Sequence, residues 1–385
     1  MELARNLPKE VDLHILTTSW NGGTGETMAT SPLPETCTVH LLSQRSDNFA
    51  YNLGFQYAVL RRFPSINRES KFDLVHCNHA HMSDLLLALR HDIPPVVRTI
   101  HSTISSQRGG TKAAGLGLSH LESSEKYTMA LLPLLKTAER FCLRRTQAAI
   151  FVSEFIRDIV KDMHAVSASI EEVIGNGVDL DRFKSMNSEG ARQRFDALSG
   201  LDCPIVLYSG RLLAMKGVYI LIDAASRVLK EFPDMRFVFA GEGMSVRLRE
   251  EISRFAIPQE KFIFLGKVEH SMMPSLYAAA NICVLPSLVE SCPMSLLEAM
   301  ACERPVVATS VGDIPRMIRD QISGVLTSPG DTNGLASSIL ELLNDESMRR
   351  GISAGARKTV ESDFSTQKMA LRTFSIYQRL MEVSN

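Results

Sequence analysis

Residues 205–225 read IVLYSGRLLAMKGVYILIDAA, and residues 281–301 read NICVLPSLVESCPMSLLEAMA. Each is a short apolar run, then a loop holding glycine or proline, then apolar residues at helical spacing. A strand that feeds a helix through a short loop is the unit of a parallel sheet, because parallel neighbours need a crossover that covers a sheet face. The rhythm extends outward from both segments. MRFVFAG (from Met235), KFIFLG (from Lys261) and PVVATS (from Pro305) complete one series. VDLHILTT (from Val11), TVHLLS (from Thr38), FDLVHCN (from Phe72), PVVRTIH (from Pro95) and AAIFVS (from Ala148) make another, with a weaker EEVIGNGVD from Glu171. Polar text without a clear period runs between them, from about Asp181 to Asp202. The expected fold is α/β, two doubly wound parallel-sheet domains, closed by an amphipathic helix over QKMALRTFSIYQRLMEV from Gln367.

Composition narrows the function classes. The 385 residues are 45% hydrophobic and 22% charged, ordinary for a globular enzyme and too apolar for disorder. Lys plus Arg is 42 against 43 for Asp plus Glu, so no excess of positive charge points to nucleic acid as a partner. The seven cysteines are scattered, with no CxxC pair, which argues against a disulfide framework or zinc ribbon and for a reducing compartment. The start, MELARNLPKE, lacks a signal-peptide core, and the longest apolar stretches, LLLAL from Leu85 and LLPLL from Leu131, fall short of the ~20 residues that span a bilayer. A cytoplasmic location is the expectation. Basic text around Arg140, ERFCLRR, would suit peripheral membrane contact, but a solvated helix face is the better reading.

In open α/β sheets ligands bind beyond the carboxyl ends of strands, beside helix N-termini. Four places there carry chemistry. Gly22 and Gly23 follow the first strand, where glycine lets the backbone approach an anion or acceptor, but the dinucleotide fingerprint fails because Met28 stands in its third glycine position. After IVLYS, Gly210 turns the chain, and Arg211 and Lys216 offer two cations that suit a diphosphate; Lys216 is followed by Gly217, so this is no P-loop. After NICVL, the carboxylates Glu290 and Glu298 flank a helix start near Pro293, capped in this reading by Ser291, where the Met294 and Ser295 amides can bind phosphate oxygens. His101 ends the strand PVVRTIH, placed as a donor or proton carrier. His76, His79 and His81 lack a carboxylate or cysteine to complete a metal site, and no metal is expected.

Together these residues resemble the retaining GT-B glycosyltransferases of glycosyltransferase family 4, the glycosyl transferases group 1. The similarity rests on YSGRLLAMKG, FLGKV, ESCPMSLLEAMA, PVVATSVGDIP and SGVLTSPGD in the second half. In the first half it rests on the Gly-Gly loop, DLVHCNHAH, TIHST, AIFVSEF and GNGVDLDRF. It implies two Rossmann-like domains facing a cleft: an acceptor-binding domain over 1–180, joined by the C-terminal helix 367–385 crossing back to it, and a nucleotide-sugar donor domain over 200–366. It implies transfer of a sugar from a nucleotide-diphosphate donor, UDP-sugar favoured, to the hydroxyl of a small-molecule or lipid-linked acceptor, with retention, by a metal-independent front-face mechanism and without cofactor. Carried over, Arg211 and Lys216 hold the diphosphate, Glu298 the ribose, Glu290 the transferred sugar, and Lys267 and Val268 meet the base. His101 approaches the donor sugar, and Gly22 and Gly23 lie near phosphate and acceptor.

Departures from the family pattern stand at Glu303, where a left-handed helix end usually has glycine, at Asp313 and Arg316, where charge is altered beside the donor loop, and at Gly175 in the interdomain joint. The short Gly25–Thr38 stretch, with Pro32 and Pro34, leaves room only for a short first helix. Two other readings stay open: a catalytically silent nucleotide-sugar-binding protein, and a sugar-nucleotide epimerase or hydrolase on the same fold.

Overall fold

The computed structural model describes residues 2–19, 33–44, 49–79, 84–106, 109, 126, 130–163, 166, 168–255 and 257–384. Gly22, Gly23 and the 25–37 stretch expected to hold a short helix lie wholly or mostly outside them, as does His81. The chain divides into two compact units. One comprises Met1–Ser105, Leu131–Gly175 and Thr366–Asn385; the other comprises Asn176–Ser365 with the described residues of 106–130. Among the described residues no helix is long and apolar enough to cross a membrane.

In the first unit, β1 (Leu13–Ser19) pairs in parallel with β2 (Cys37–Gln44), and β3 (Val75–His79), β4 (Val96–Ile100), β5 (Ala148–Phe151) and β6 (Ile170–Val173) form a parallel sheet in that order. The described pairings thus make two sheets. The β1–β2 ladder carries a register shift between Thr17 and Thr18, and Leu16 and Leu42 pack with Val59, Phe63, Phe72 and Val75. Side-chain alternation sorts the four-stranded sheet cleanly. Val97, Ala148, Ile150 and Ile170 pack on Ile376, Tyr377 and Leu380 of the C-terminal helix Thr366–Ser384, while Ile100, Ala149 and Phe151 pack on Leu143, Ile156 and Val160. Both faces are covered, so these strands read as continuous apolar runs. The last helix joins the first unit, as the resemblance implies, through this apolar face.

His76 sits under the same helix. Its Nδ1 meets the Tyr377 hydroxyl, and its Nε2 lies 2.8 Å from Thr99 Oγ1. Burial first, then the positive neighbours His101 and Arg98, push its pKa from 6.5 down to about 4. The unfolded chain therefore binds this proton more tightly, and the associated stability is present above pH 6.5 and lost as pH falls towards 4. The parental protein should lose up to about 3 kcal/mol across that window, and His76→Gln should show a flatter profile, read by urea unfolding at pH 7 and pH 4.5. Equal slopes would remove His76 as the cause.

The second unit is one sheet of six parallel strands in the order β12-β11-β10-β7-β8-β9. They are β7 (Ile205–Ser209), β8 (Arg236–Ala240), β9 (Phe262–Gly266), β10 (Ile282–Leu285), β11 (Val306–Thr309) and β12 (Val325–Thr327). β12 is absent from the strands expected from sequence; three residues inside SGVLTSPG are too few to show a period. Residues 176–199 belong to this unit for visible reasons. Val178 bridges Ser365, Arg192 donates to Ala279 O at 3.1 Å and Asn281 Oδ1 at 3.0 Å, and the Phe183 ring lies 6.3 Å from that of Tyr277.

Glu303 has φ 55, so a β-carbon occupies the left-handed turn that ends the helix Met294–Ala301. Arg304 N bonds Ala299 O at 3.0 Å and Glu303 N bonds Met300 O at 3.1 Å, the paired bonds of a Schellman end. Glu303→Gly should therefore raise stability by about 1 kcal/mol, measured by chemical denaturation. A fall in stability would mean the Glu303 side chain has a compensating role.

Candidate active site

Strands β7 and β10 are neighbours at the middle of the second sheet, and their outgoing connections run in opposite directions across it, to β8 and to β11. In doubly wound sheets ligands bind at such a switch point, beyond the carboxyl ends of the strands. The loop after β7 carries Gly210, Arg211 and Lys216; the loop after β10 carries Ser287 and Glu290.

Backbone contacts lock these loops together. Leu288 N bonds Met215 O at 2.9 Å. Gly217 has φ 70, and a β-carbon there would stand 1.8 Å from Pro286 O, so only glycine lets the chain after Lys216 press against the β10 loop. A β-carbon on Gly241 would stand 1.9 Å from Gly210 O, which gives that glycine a packing role instead of a dinucleotide one. The buried Tyr208 hydroxyl donates to Arg211 O at 2.7 Å and fixes the turn that presents the exposed arginine. Burial, then the Glu290 charge, hold the Tyr208 pKa well above its ordinary value, so it stays a donor.

Lys216 Nζ donates to Glu290 Oε1 at 2.7 Å, and Ser287 Oγ donates to the same oxygen at 2.8 Å. Glu290 is only 8% exposed. An ammonium has three N–H donors, so Lys216 can hold Glu290 and still point N–H groups elsewhere.

Glu298 lies in the first turns of the helix Met294–Ala301 and is 6% exposed. The Tyr277 hydroxyl donates to its Oε2 at 2.8 Å, and His270 Nε2 lies 3.1 Å from its Oε1. A tyrosine has one proton, and Tyr277 directs it to the carboxylate, so Ser209 Oγ must donate to the Tyr277 oxygen across their 2.8 Å contact. Burial and then Glu298 keep the Tyr277 pKa well above its ordinary value. The carboxylate is thus aimed by groups from β7, from the 273–279 helix and from the turn before it.

The Ser291 cap is corrected. Pro293 is the N-cap, with no side-chain cap, and Met294 and Ser295 are the first two helical residues. The preceding turn is held from outside: Asn176 Nδ2 donates to Cys292 O at 2.8 Å, and Asn176 N lies 3.3 Å from Cys292 Sγ. Lys267 is exposed and Val268 half-buried just after β9, whose Gly266 O accepts from Gly241 N at 2.8 Å. Asp313 and Arg316 pair at 3.0 Å, so the two altered charges meet each other. His101 follows β4 in the first unit. Its neighbour His76 has both ring nitrogens engaged, and among the described residues no group of three or more metal-ligating side chains occurs.

Ser209, His270, Tyr277 and Ser287 are the hydrogen-bonding groups around Glu290 and Glu298 that sequence reading passes over. Tyr277 sits in MPSLYAA, which reads as core, and His270 lies 28 residues before Glu298 with no spacing rule joining them.

Comparison with known proteins gives the class. Residues 203–345 match the model of Glycosyl transferases group 1, and residues 1–182 match that of Glycosyltransferase Family 4. The chain belongs to this glycosyltransferase family, and its fold is GT-B. It is 28% identical to an α-D-kanosaminyltransferase of Streptomyces kanamyceticus over 64% of this chain and 64% of that relative. A sucrose-phosphate synthase structure from Thermosynechococcus elongatus superposes with TM-score 0.79 at 21% identity, covering 99% of this chain and 92% of that one. Anabaena HepE in complex with UDP-glucose superposes with TM-score 0.71 at 19% identity, over 96% and 100%.

Proposed function

We propose that this chain transfers a sugar from a nucleoside-diphosphate donor, a UDP-sugar by preference, to the hydroxyl of a small-molecule or lipid-linked acceptor, with retention and without a metal. The observation that carries the reading is the meeting of Lys216, on the loop that also carries Arg211, with Glu290 at the switch point, and Glu298 buried and aimed by Tyr277 and His270. In the reaction the bond from the anomeric carbon to the diphosphate oxygen breaks, and the acceptor oxygen bonds to that carbon on the same face. The acceptor proton passes to the departing phosphate oxygen. Negative charge grows on the diphosphate, where Arg211 and Lys216 supply two preplaced cations, the role a divalent ion would otherwise fill. Glu290 would accept from hydroxyls of the transferred sugar, and Glu298 from those of the ribose. The helix amides at Met294 and Ser295 would bind phosphate oxygens. Lys267 and Val268 would meet the base through backbone. A cytoplasmic setting suits the free cysteines.

The roles of Gly210, Gly22, Gly23 and His101 rest on the resemblance. His101→Ala tests one of them by itself: transfer should fall while UDP affinity stays.

A thermal-shift panel of UDP, GDP, ADP, their sugars and NAD tests the donor. Ligand at ~100 times its Kd adds about 2.7 kcal/mol, and the shift should be confined to one nucleotide and vanish in Lys216→Ala. Turnover should survive EDTA. Donor consumed without acceptor would favour the hydrolase or epimerase reading, and binding without turnover against any acceptor the silent one.

A further inference from the structure

A second candidate site lies in the first unit, at the amino ends of β3 to β5, on the sheet edge away from His101. A cavity of about 330 Å³ opens there. Its floor is Arg98, which is fully buried in the strand run PVVRTIH. Arg98 Nη1 lies 2.8 and 2.7 Å from the two Asp84 oxygens, and its Nε donates to Thr146 Oγ1 at 2.9 Å. These contacts use Nε and Nη1, and Nη2 carries two further N–H groups. Burying an ion pair in a strand is a weak source of stability compared with apolar residues of the same volume.

The mouth is built of donors as well. Arg145 Nη1 reaches Arg90 O and His91 Nδ1 at 3.4 Å each, both at the limit of a hydrogen bond, and no carboxylate pairs with it among the described residues. Gln147 spends its Oε1 on Val96 N at 2.8 Å, which leaves its amide N–H groups at the rim. Arg90 is matched by Asp92. Arg90, Arg98 and Arg145 therefore face Asp84 and Asp92, an excess of one positive charge beside an apolar wall that includes Ile93, Pro94 and Pro95. Convergent donors, surplus positive charge and an apolar wall are what a small organic anion needs.

We propose that this cavity binds a small organic anion, a carboxylate or phosphate ester with a compact apolar body, whose charged group is held by Arg98 Nη2 and Arg145. The site is independent of the donor site on the second unit.

Titration calorimetry with benzoate and with phenyl phosphate tests it and separates the two head groups. One or both should bind with a Kd below about 1 mM, and Arg145→Ala should weaken that binding at least about tenfold without lowering Tm. Gln147→Glu keeps the acceptor for Val96 N, places a negative charge at the mouth, and should weaken it likewise. Lys216→Ala should leave it unchanged. Failure of both probes at about 10 mM overturns the proposal, since the cavity is then filled by solvent alone. So does binding that persists in Arg145→Ala, or binding lost in Lys216→Ala.

Discussion

Lys216→Ala should lower kcat/KM for sugar transfer about a thousandfold, in line with about 3–4 kcal/mol for removing one preplaced group at developing negative charge. The variant should also lose stability. It strips the cation from Glu290, a carboxylate 8% exposed, and leaves it the Ser287 hydroxyl as a donor. Lys216 itself is 26% exposed, so the loss should be nearer about 1 kcal/mol than the full cost of breaking a buried pair. Adding Glu290→Gln separates the two effects. The double variant should recover stability, because no unpaired charge remains, and should not recover rate. Rate regained in the double variant would mean that Lys216 serves only to neutralise Glu290. Parental rate in Lys216→Ala would remove its diphosphate role.

Glu298→Ala should raise the Kd for UDP about ten- to a hundredfold, the value of about 1.5–3 kcal/mol for hydrogen bonds to a charged group. It also leaves the Tyr277 hydroxyl buried without its acceptor, at a cost of about 1–3 kcal/mol in stability. Glu298→Gln keeps the shape and an acceptor, so it should fold like the parent and bind UDP more weakly than the parent by a smaller factor than alanine. Tyr277→Phe removes the group that aims the carboxylate and should change affinity only a few-fold. Unchanged UDP affinity in Glu298→Ala, read by calorimetry, would leave Glu298 a structural partner of Tyr277 and His270.

The site is legible in sequence to the degree that its residues follow strands. Arg211, Lys216 and Glu290 come directly after apolar runs, and Glu298 follows at a helical interval, so strand-loop-helix grammar finds them. Glu303 is legible for a similar reason, as a side chain where a helix end calls for a left-handed turn. The supporting residues are not. Tyr277 and Ser209 belong to segments whose composition reads as core, and packing alone brings the Tyr277 hydroxyl to Glu298 and the Ser209 hydroxyl to Tyr277. Asp313 and Arg316 read singly as departures, yet one turn of helix brings them into a pair. Arg98 hides inside an apolar strand, because a buried cation announces itself only through Asp84 and Thr146, neither adjacent to it in sequence.

The sequence by itself determined what is local and periodic: the alternation of strands and helices, hence parallel sheets in two series, and the loops that carry the charged residues. A period of two or of 3.6 is a property of neighbours along the chain. The tertiary structure alone decided the strand order that sets β7 beside β10, the 2.7 Å contact of Lys216 with Glu290, and the clasp of Tyr277 and His270 on Glu298. Those depend on distances between residues 21 to 74 positions apart, which no linear pattern encodes and only the packed core fixes.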